Sequence, residues 1–221
     1  MTQFLFTLAP QLNLKMALST FVKIGGITNL SDARYCSGMY VDLLGFSLEE
    51  DSPKFVSPTQ FSEITGWIAG TELVGEFETD DLQTIQAKLE KYPNITWIEH
   101  RRLAPLLSLQ DQGKKLIYKA DIQEIIHIEP ELAAKLKANG VLLHLTSDHK
   151  KLQENELETV KKISSEIDVI LGTGLTQYNV KELIQDLNLK GIALEGGEEI
   201  KPGLKDFDEL AEILEVLEVE D

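Results

Sequence analysis

The chain has 221 residues, enough for one large domain or two small ones, and 43% apolar with 26% charged residues is ordinary for a globular protein. Thirty-seven acidic side chains against 21 basic ones give a formal net charge of −16. That balance argues against nucleic acid and against anionic membrane surfaces, both of which require clustered Lys and Arg. One cysteine, Cys36, permits no internal disulfide and points to a reducing compartment.

Residues 1–15 read as an extension. The apolar Met1–Ala9 stretch lacks the basic flank of a secretory signal and is too short to span a membrane. Met16 stands just before the first strand, so a cytoplasmic domain is expected over 16–221. Phe21 to Gly26 is a short apolar strand, and a helix follows from Ser31 to Gly38, with Cys36 packed as a small apolar side chain beside Ala33. Val41 to Phe46 is a second strand, followed by an acidic loop (Glu49-Glu50-Asp51-Ser52-Pro53) and a helix opened by Ser57-Pro58. Glu72 to Phe77 is the third strand, Asp80 caps a helix through Leu89, and Ile95 to Ile98 is the fourth strand. A short helix near Leu103 to Leu109 precedes the fifth strand, Lys115 to Tyr118.

Glu129-Pro130 opens a helix that stops at Asn139-Gly140, and Val141 to Leu145 is the sixth strand. A helix over Asn155 to Ser165 leads to the seventh strand, Asp168 to Leu171. Thr176 caps a helix over Val180 to Leu187, and Gly191 to Leu194 is the eighth strand. A last helix starts at Asp206, with Leu210, Ile213, Leu214 and Leu217 at helical spacing. Short apolar strands alternating with amphipathic helices mean a parallel sheet covered on both faces, and eight such units close into a single (β/α)8 barrel. An open doubly wound sheet is the alternative, although Gly25-Gly26-Ile27 does not follow its G-x-G-x-x-G nucleotide turn.

Barrel chemistry sits at the carboxyl ends of the strands, and the first strand ends at Gly25, which can neither donate nor accept a proton. Lys23-Ile24-Gly25-Gly26-Ile27-Thr28-Asn29 resembles the K-I-C-G-I-T of phosphoribosylanthranilate isomerases. Asp42-Leu43-Leu44-Gly45-Phe46 resembles their A-D-x-x-G-F, and Ser52 to Pro58 resembles S-x-R-x-[IV]-[ST]-x. Ile170-Leu171-Gly172-Thr173-Gly174-Leu175 with Asn179-Val180 resembles I-L-A-G-G-L…N-V, and Glu199 with Pro202-Gly203-Leu204-Lys205-Asp206 resembles G-V-E…P-G-x-K-D. The motifs occur in family order from residue 23 to residue 206.

The resemblance implies an Amadori rearrangement in tryptophan synthesis, converting an aminoaldose to an aminoketose with no cofactor and no metal. A general acid protonates the ribose ring oxygen and a base removes the C2 proton. The family's base, a Cys, falls on Gly25, and its acid, an Asp, falls on His144. Its strand-8 D-[VI]-S-S-G reads Ala193-Leu194-Glu195-Gly196-Gly197, which puts a carboxylate beside the implied phosphate site. A carboxylate about 4 Å from a phosphate charge costs on the order of 4 kcal/mol at an effective dielectric of 20, against roughly 0.3–2 kcal/mol from one helix N-terminus.

Lys54 replaces the family Arg, and Gly172, Thr173 and Gly174 are the surviving phosphate-turn candidates. His100 aligns with a family histidine, and Arg101 beside Arg102 is the expected anion contact. The loop carboxylates Glu49, Glu50, Asp51 and Asp148 are the candidate replacement bases. The pairings of His100 with Glu99, His127 with Glu129, and His144 with Asp148 and His149 follow no recurring metal spacing. Three functions stay open at this stage. One is a family barrel with isomerisation lost or reduced and a small phosphorylated or anionic ligand. The others are an active isomerase, with His144 standing in as the acid and a loop carboxylate as the base, and a partner-binding barrel with no mouth ligand. The oligomeric state is not readable.

Overall fold

The protein is described by a computed structural model over residues 17–149, 151–196, 199–201, 204–205 and 207–219. The proposed extension, residues 1–15, and the starts assigned to Met16 and Asp206 lie outside the described residues. Strands β1 (Phe21–Gly25), β2 (Leu43–Ser47), β3 (Glu72–Phe77), β4 (Ile95–His100), β5 (Lys115–Asp121), β6 (Leu142–Thr146), β7 (Val169–Leu171) and β8 (Gly191–Glu195) form a closed barrel in chain order. Every neighbouring pair is parallel, and β8 closes onto β1 with Phe21 opposite Gly191 and Gly25 opposite Glu195. The open-sheet alternative is thereby excluded.

The covering helices are α1 (Leu30–Gly38), α2 (Pro58–Thr65), α3 (Leu82–Lys91), α4 (Leu103–Leu107), α5 (Ile122–Ile125), α6 (Glu129–Ala138), α7 (Glu154–Ser164), α8 (Val180–Asp186) and α9 (Asp208–Leu217). A short antiparallel pair, β9 (Glu199–Lys201) and β10 (Leu204–Lys205), is an addition that strand periodicity did not signal. Among the described residues no helix is long and apolar enough to cross a membrane. Cys36 is fully buried in α1.

Two caps differ from expectation. Asp81 caps α3 by accepting from the Gln83 N–H at 3.3 Å, because Asp80 turns to the Arg102 guanidinium. Asn179, not Thr176, occupies the N-cap position of α8, and its side-chain oxygen reaches back to the Thr176 N–H at 2.8 Å. Strand β5 runs three residues past its predicted end, with Lys119, Ala120 and Asp121 in register with His144, Leu145 and Thr146. The polar Lys119 and Asp121 hid that extension.

The barrel interior is filled by Leu43, Val74, Trp97, Ile117, Leu142, Ile170 and Ala193, all buried. Side chains alternate along a strand, so the residue two further on in each case faces the same interior one layer nearer the mouth. Those residues are Gly45, Glu76, Glu99, Lys119, His144, Gly172 and Glu195. An apolar plug therefore carries a charged layer, built by the period of two alone.

Candidate active site

Lys23, on β1 two residues before Gly25, is 2% exposed. Its ammonium lies 2.6 Å from Glu76 and 3.1 Å from Glu99. Glu99 also accepts from His144 Nδ1 at 2.9 Å and stands 3.9 Å from Lys119. Lys119 is 3.6 Å from Glu195, and Glu195 accepts a short hydrogen bond from Lys54. Three ammonium groups, of Lys23, Lys54 and Lys119, thus face three carboxylates, of Glu76, Glu99 and Glu195, and this network is neutral as a set. Lys119 and Glu195 line both a hollow of about 340 Å³ beside β6, β7 and β8 and one of about 180 Å³ beside β2, β3 and β4. Together they partition the mouth. A larger cleft of about 690 Å³ involving Trp97, Lys115 and Lys190 opens at the opposite end of the barrel, away from the strand ends that carry chemistry in this architecture.

Burial alone would pull the Lys23 ammonium down, but Glu76 and Glu99 overcome it and hold the proton well above the usual lysine range. Burial likewise opposes ionisation of Glu99, and Lys23, His144 and Lys119 overcome that cost, keeping the carboxyl far below its ordinary value. Burial lowers His144, and Lys23 and Lys119 add to the effect beyond what Glu99 restores. An ionised carboxylate can only accept a hydrogen bond, so the Nδ1 facing Glu99 carries the proton of a neutral ring and Nε2 is bare. Among the described residues Nε2 has no hydrogen-bond partner, and His144 lines the 340 Å³ hollow.

The glycines record how this layer is accommodated. A Cβ at Gly25 would stand 3.0 Å from Glu76 Oε1 and 3.3 Å from Lys23 Nζ, so the carboxylate fills the space a side chain there would use. A Cβ at Gly45 would meet the same oxygen at 2.1 Å, and one at Gly172 would meet His144 Nε2 at 2.5 Å.

The residues singled out from sequence separate into two groups. Gly25, Lys54, His144, Gly172, Thr173, Gly174, Ala193 and Glu195 come together around the mouth. His100 does not present a free nitrogen there. It is 1% exposed, Nε2 lies 2.8 Å from the Thr79 carbonyl, and Nδ1 accepts the Arg102 N–H at 2.8 Å. Arg101, like His100, lines the 180 Å³ hollow but stands 3.7 Å from Glu78, and Arg102 pairs with Asp80. Lys54, expected to grip a ligand, grips Glu195, whose carboxyl burial alone would raise but Lys54 and Lys119 hold at about 2. Gly196 follows β8, while Gly197 lies outside the described residues. Thr173 donates toward the Ser147 and His149 carbonyls at 3.2 and 3.1 Å.

Of the loop carboxylates, Glu49 is committed to the Glu78 and Thr79 N–H groups and to Lys88. The carboxylate beside Gly25 is Glu76, on a strand. Lys23, Glu76, Glu99 and Lys119 were missed. Stepping by two from Val74, Trp97 and Ile117 would have found the last three.

Residues 22–216 match the family profile of N-(5'-phosphoribosyl)anthranilate (PRA) isomerase. The chain belongs to the phosphoribosylanthranilate isomerase family. The isomerase of Geobacter metallireducens is 29% identical over 203 residues, covering 87% of this chain and 96% of that one. A crystal structure of phosphoribosyl anthranilate isomerase from Thermotoga maritima superposes with a TM-score of 0.72 at 19% identity, over 90% of this chain and 98% of the other. A second, at TM-score 0.67 and 20% identity over the same shares, holds reduced 1-(o-carboxyphenylamino)-1-deoxyribulose 5-phosphate. Against the isomerase motif I-L-A-G-G-L, Gly172 replaces the alanine that would collide with His144.

The loop after β6 is pinned by Glu156, whose side chain is buried. It accepts from Gln153 N at 2.8 Å, Ser147 Oγ at 2.7 Å, Gln123 Nε2 at 3.0 Å and His149 Nδ1 at 3.1 Å. Burial alone would raise its carboxyl, but these donors lower it to about 2. A depressed carboxyl stabilises the fold above its unfolded value of roughly 4.3 and ceases to do so as pH falls through the folded value. Glu156→Gln is therefore expected to lose stability by a constant amount above roughly pH 5, and the deficit should vanish toward pH 2. Urea titrations at several pH values check this; a pH-independent deficit would contradict it.

Proposed function

We propose that this chain is a phosphoribosylanthranilate isomerase-type barrel in which the isomerisation is lost or strongly reduced and the mouth holds a small anionic ligand. One observation carries the reading. The imidazole at the acid position donates its Nδ1–H to Glu99 in a hydrogen bond, and its other nitrogen, on a ring that lines the hollow, carries no proton. It therefore has nothing with which to protonate a ribose ring oxygen. Gly25 supplies no base, and Glu76, the carboxylate nearest to it, is held by Lys23 at 2.6 Å. The partition of Lys54, Glu195 and Lys119 further divides the space that a phosphoribosyl and an aryl group would have to share.

A ligand in the 340 Å³ hollow meets Lys119 as its accessible cation, in keeping with the phosphorylated compound held by the related structure. The lone, buried Cys36 suits a cytoplasmic setting.

An active isomerase with Glu76 as base is the competing reading, since that carboxylate is the group beside Gly25. It still lacks an acid. Loss of both groups predicts a turnover roughly 10⁴-fold or more below the ordinary range, at about 10²–10⁴ for each. Following the fluorescence of phosphoribosylanthranilate with purified protein decides the matter. Turnover of about 1–10³ per second, or growth of an isomerase-deficient tryptophan auxotroph on this chain alone, would overturn the proposal.

A further inference from the structure

We infer that His144, oriented by Glu99, is a general base for removing a proton from carbon next to the carbonyl of a small anionic substrate bound in the 340 Å³ hollow. This deepens the reading of the mouth as a small-anion site and gives that ligand a chemistry distinct from the family's, whose acid occupies this position.

Four observations support it. His144 Nδ1 is tied to Glu99 at 2.9 Å, which fixes both the tautomer and the ring plane. His144 and Gly172 both line the hollow, and Nε2 lies against Gly172, where it has room only because residue 172 lacks a side chain. Neither threonine lining the hollow is poised as a nucleophile for the imidazole to activate. Thr146 Oγ1 donates to the Ala120 carbonyl at 3.3 Å, and Thr173 Oγ1 donates to the carbonyls of Ser147 and His149. The base must then act on the ligand itself. Finally, Lys23 and Lys119 line the same hollow, so an anion formed there meets ammonium charge.

The step balances without an added reagent. The C–H bond breaks and its proton goes to Nε2. Its electron pair becomes the C=C bond of an enolate, and the carbonyl π pair moves to oxygen beside Lys119. The imidazolium that forms is opposite Glu99, which stays ionised. Return of the proton, or of a solvent deuteron, to carbon completes the exchange with no oxidation. The charged groups around this ring and its hollow are Lys23 on β1, Glu99 on β4, Lys119 on β5 and Glu195 on β8, with Glu209 of α9 also in the lining and Glu76 on β3 reaching Lys23. A base buried among these cations is neutral at pH 7, as the downward displacement of His144 requires.

The test is carbon-bound deuterium exchange in D2O, followed by proton NMR, with pyruvate and dihydroxyacetone phosphate as probes. The first offers a carboxylate and the second a phosphate, so the faster one identifies the anion. Exchange of one probe should exceed the buffer rate, and His144→Gln should reduce the enzyme's share about 10²-fold or more. Gly172→Ala, which leaves both dyad residues in place, should also depress it by crowding Nε2. In Glu99→Gln the pH at which exchange reaches its plateau should move down, because the imidazolium loses its counter-charge; a merely structural glutamate would leave that inflection unmoved. Exchange of both probes at the buffer rate, or at an equal rate in His144→Gln, overturns the inference. Turnover of phosphoribosylanthranilate would instead sink the preceding proposal and leave this one standing.

Discussion

Lys23→Met should lower the stability of the protein by about 3–5 kcal/mol, the usual result of removing one partner from a buried ion pair. For a chain of this length that corresponds to a drop of roughly 6–20 °C in the thermal midpoint. The ammonium is 2% exposed and stands between Glu76 and Glu99. Methionine matches its stem and fills its channel, so the deficit reports charge rather than volume. With the ammonium gone, the buried Glu99 retains His144 and the more distant Lys119 at 3.9 Å, neither of which replaces a cation at 3.1 Å. The sign with pH follows. Glu99 is held far below its ordinary value by Lys23, and without that cation its carboxyl titrates higher. The wild type is therefore favoured most at neutral pH, and its advantage shrinks as the variant's Glu99 takes up a proton on acidification. Adding Glu76→Leu to Lys23→Met should recover part of the loss, because paired removal of opposite charges costs less than removal of one. Calorimetry with a double-mutant cycle measures both effects. A loss under about 1 kcal/mol in Lys23→Met would mean that water reaches these charges and that the layer is not a closed network.

The barrel was legible because its signals are local. Strands of three to seven residues with buried faces, separated by helices whose apolar positions recur at helical spacing, leave little other than a parallel closed sheet. Where the reading slipped, a polar residue did two jobs. The apolar pattern of β5 stops at Tyr118, yet the strand continues to Asp121 and Lys119 is inward-facing mouth chemistry at its end. Asp80 looked like the cap of α3 but pairs with Arg102, leaving the cap to Asp81.

The site was half legible. Motif comparison located Gly25, His144 and Glu195, and these do meet at the mouth. Glu76 and Glu99 were invisible to it, since they answer to no motif and belong to the mouth only through the alternation of β3 and β4. From sequence alone Glu195 is a charge set against a bound phosphate. The structure gives it two cations of its own, so it occupies them rather than simply repelling an anion. His100 lines the smaller mouth hollow, as its alignment suggests, but both of its nitrogens are taken by backbone groups.

Restoring the family's reactive pair by Gly25→Cys with His144→Asp should leave turnover of phosphoribosylanthranilate within about tenfold of the unmodified protein, far below the 10⁴-fold or more that two working groups can supply. The reason is spatial before it is electrostatic. The new Cβ would lie 3.0 Å from Glu76 Oε1 and 3.3 Å from Lys23 Nζ, and the sulfur is one bond longer still. Either the carboxylate moves and its pairing with Lys23 is disturbed, or the thiol is turned away from the mouth. Charge then adds to the problem. A thiolate about 4 Å from a carboxylate is disfavoured by roughly 4 kcal/mol at an effective dielectric of 20, or about three units on the thiol's pKa, before Lys23 offsets part of it. The second substitution is no better placed, since an aspartate in place of His144 faces the ionised Glu99 and leaves Gly172 beside an empty volume. Adding Glu76→Val should free the thiol, and thiol-reagent kinetics should show it reacting faster than in the two-site variant. Turnover should rise measurably only when Ala193→Asp and Glu195→Ser also release Lys54 and Lys119 from their present partner. If the two-site variant alone reached ordinary enzyme rates, the occupied space beside Gly25 would be shown to yield easily, and the charged layer would have to be regarded as a consequence of lost catalysis rather than a barrier to it.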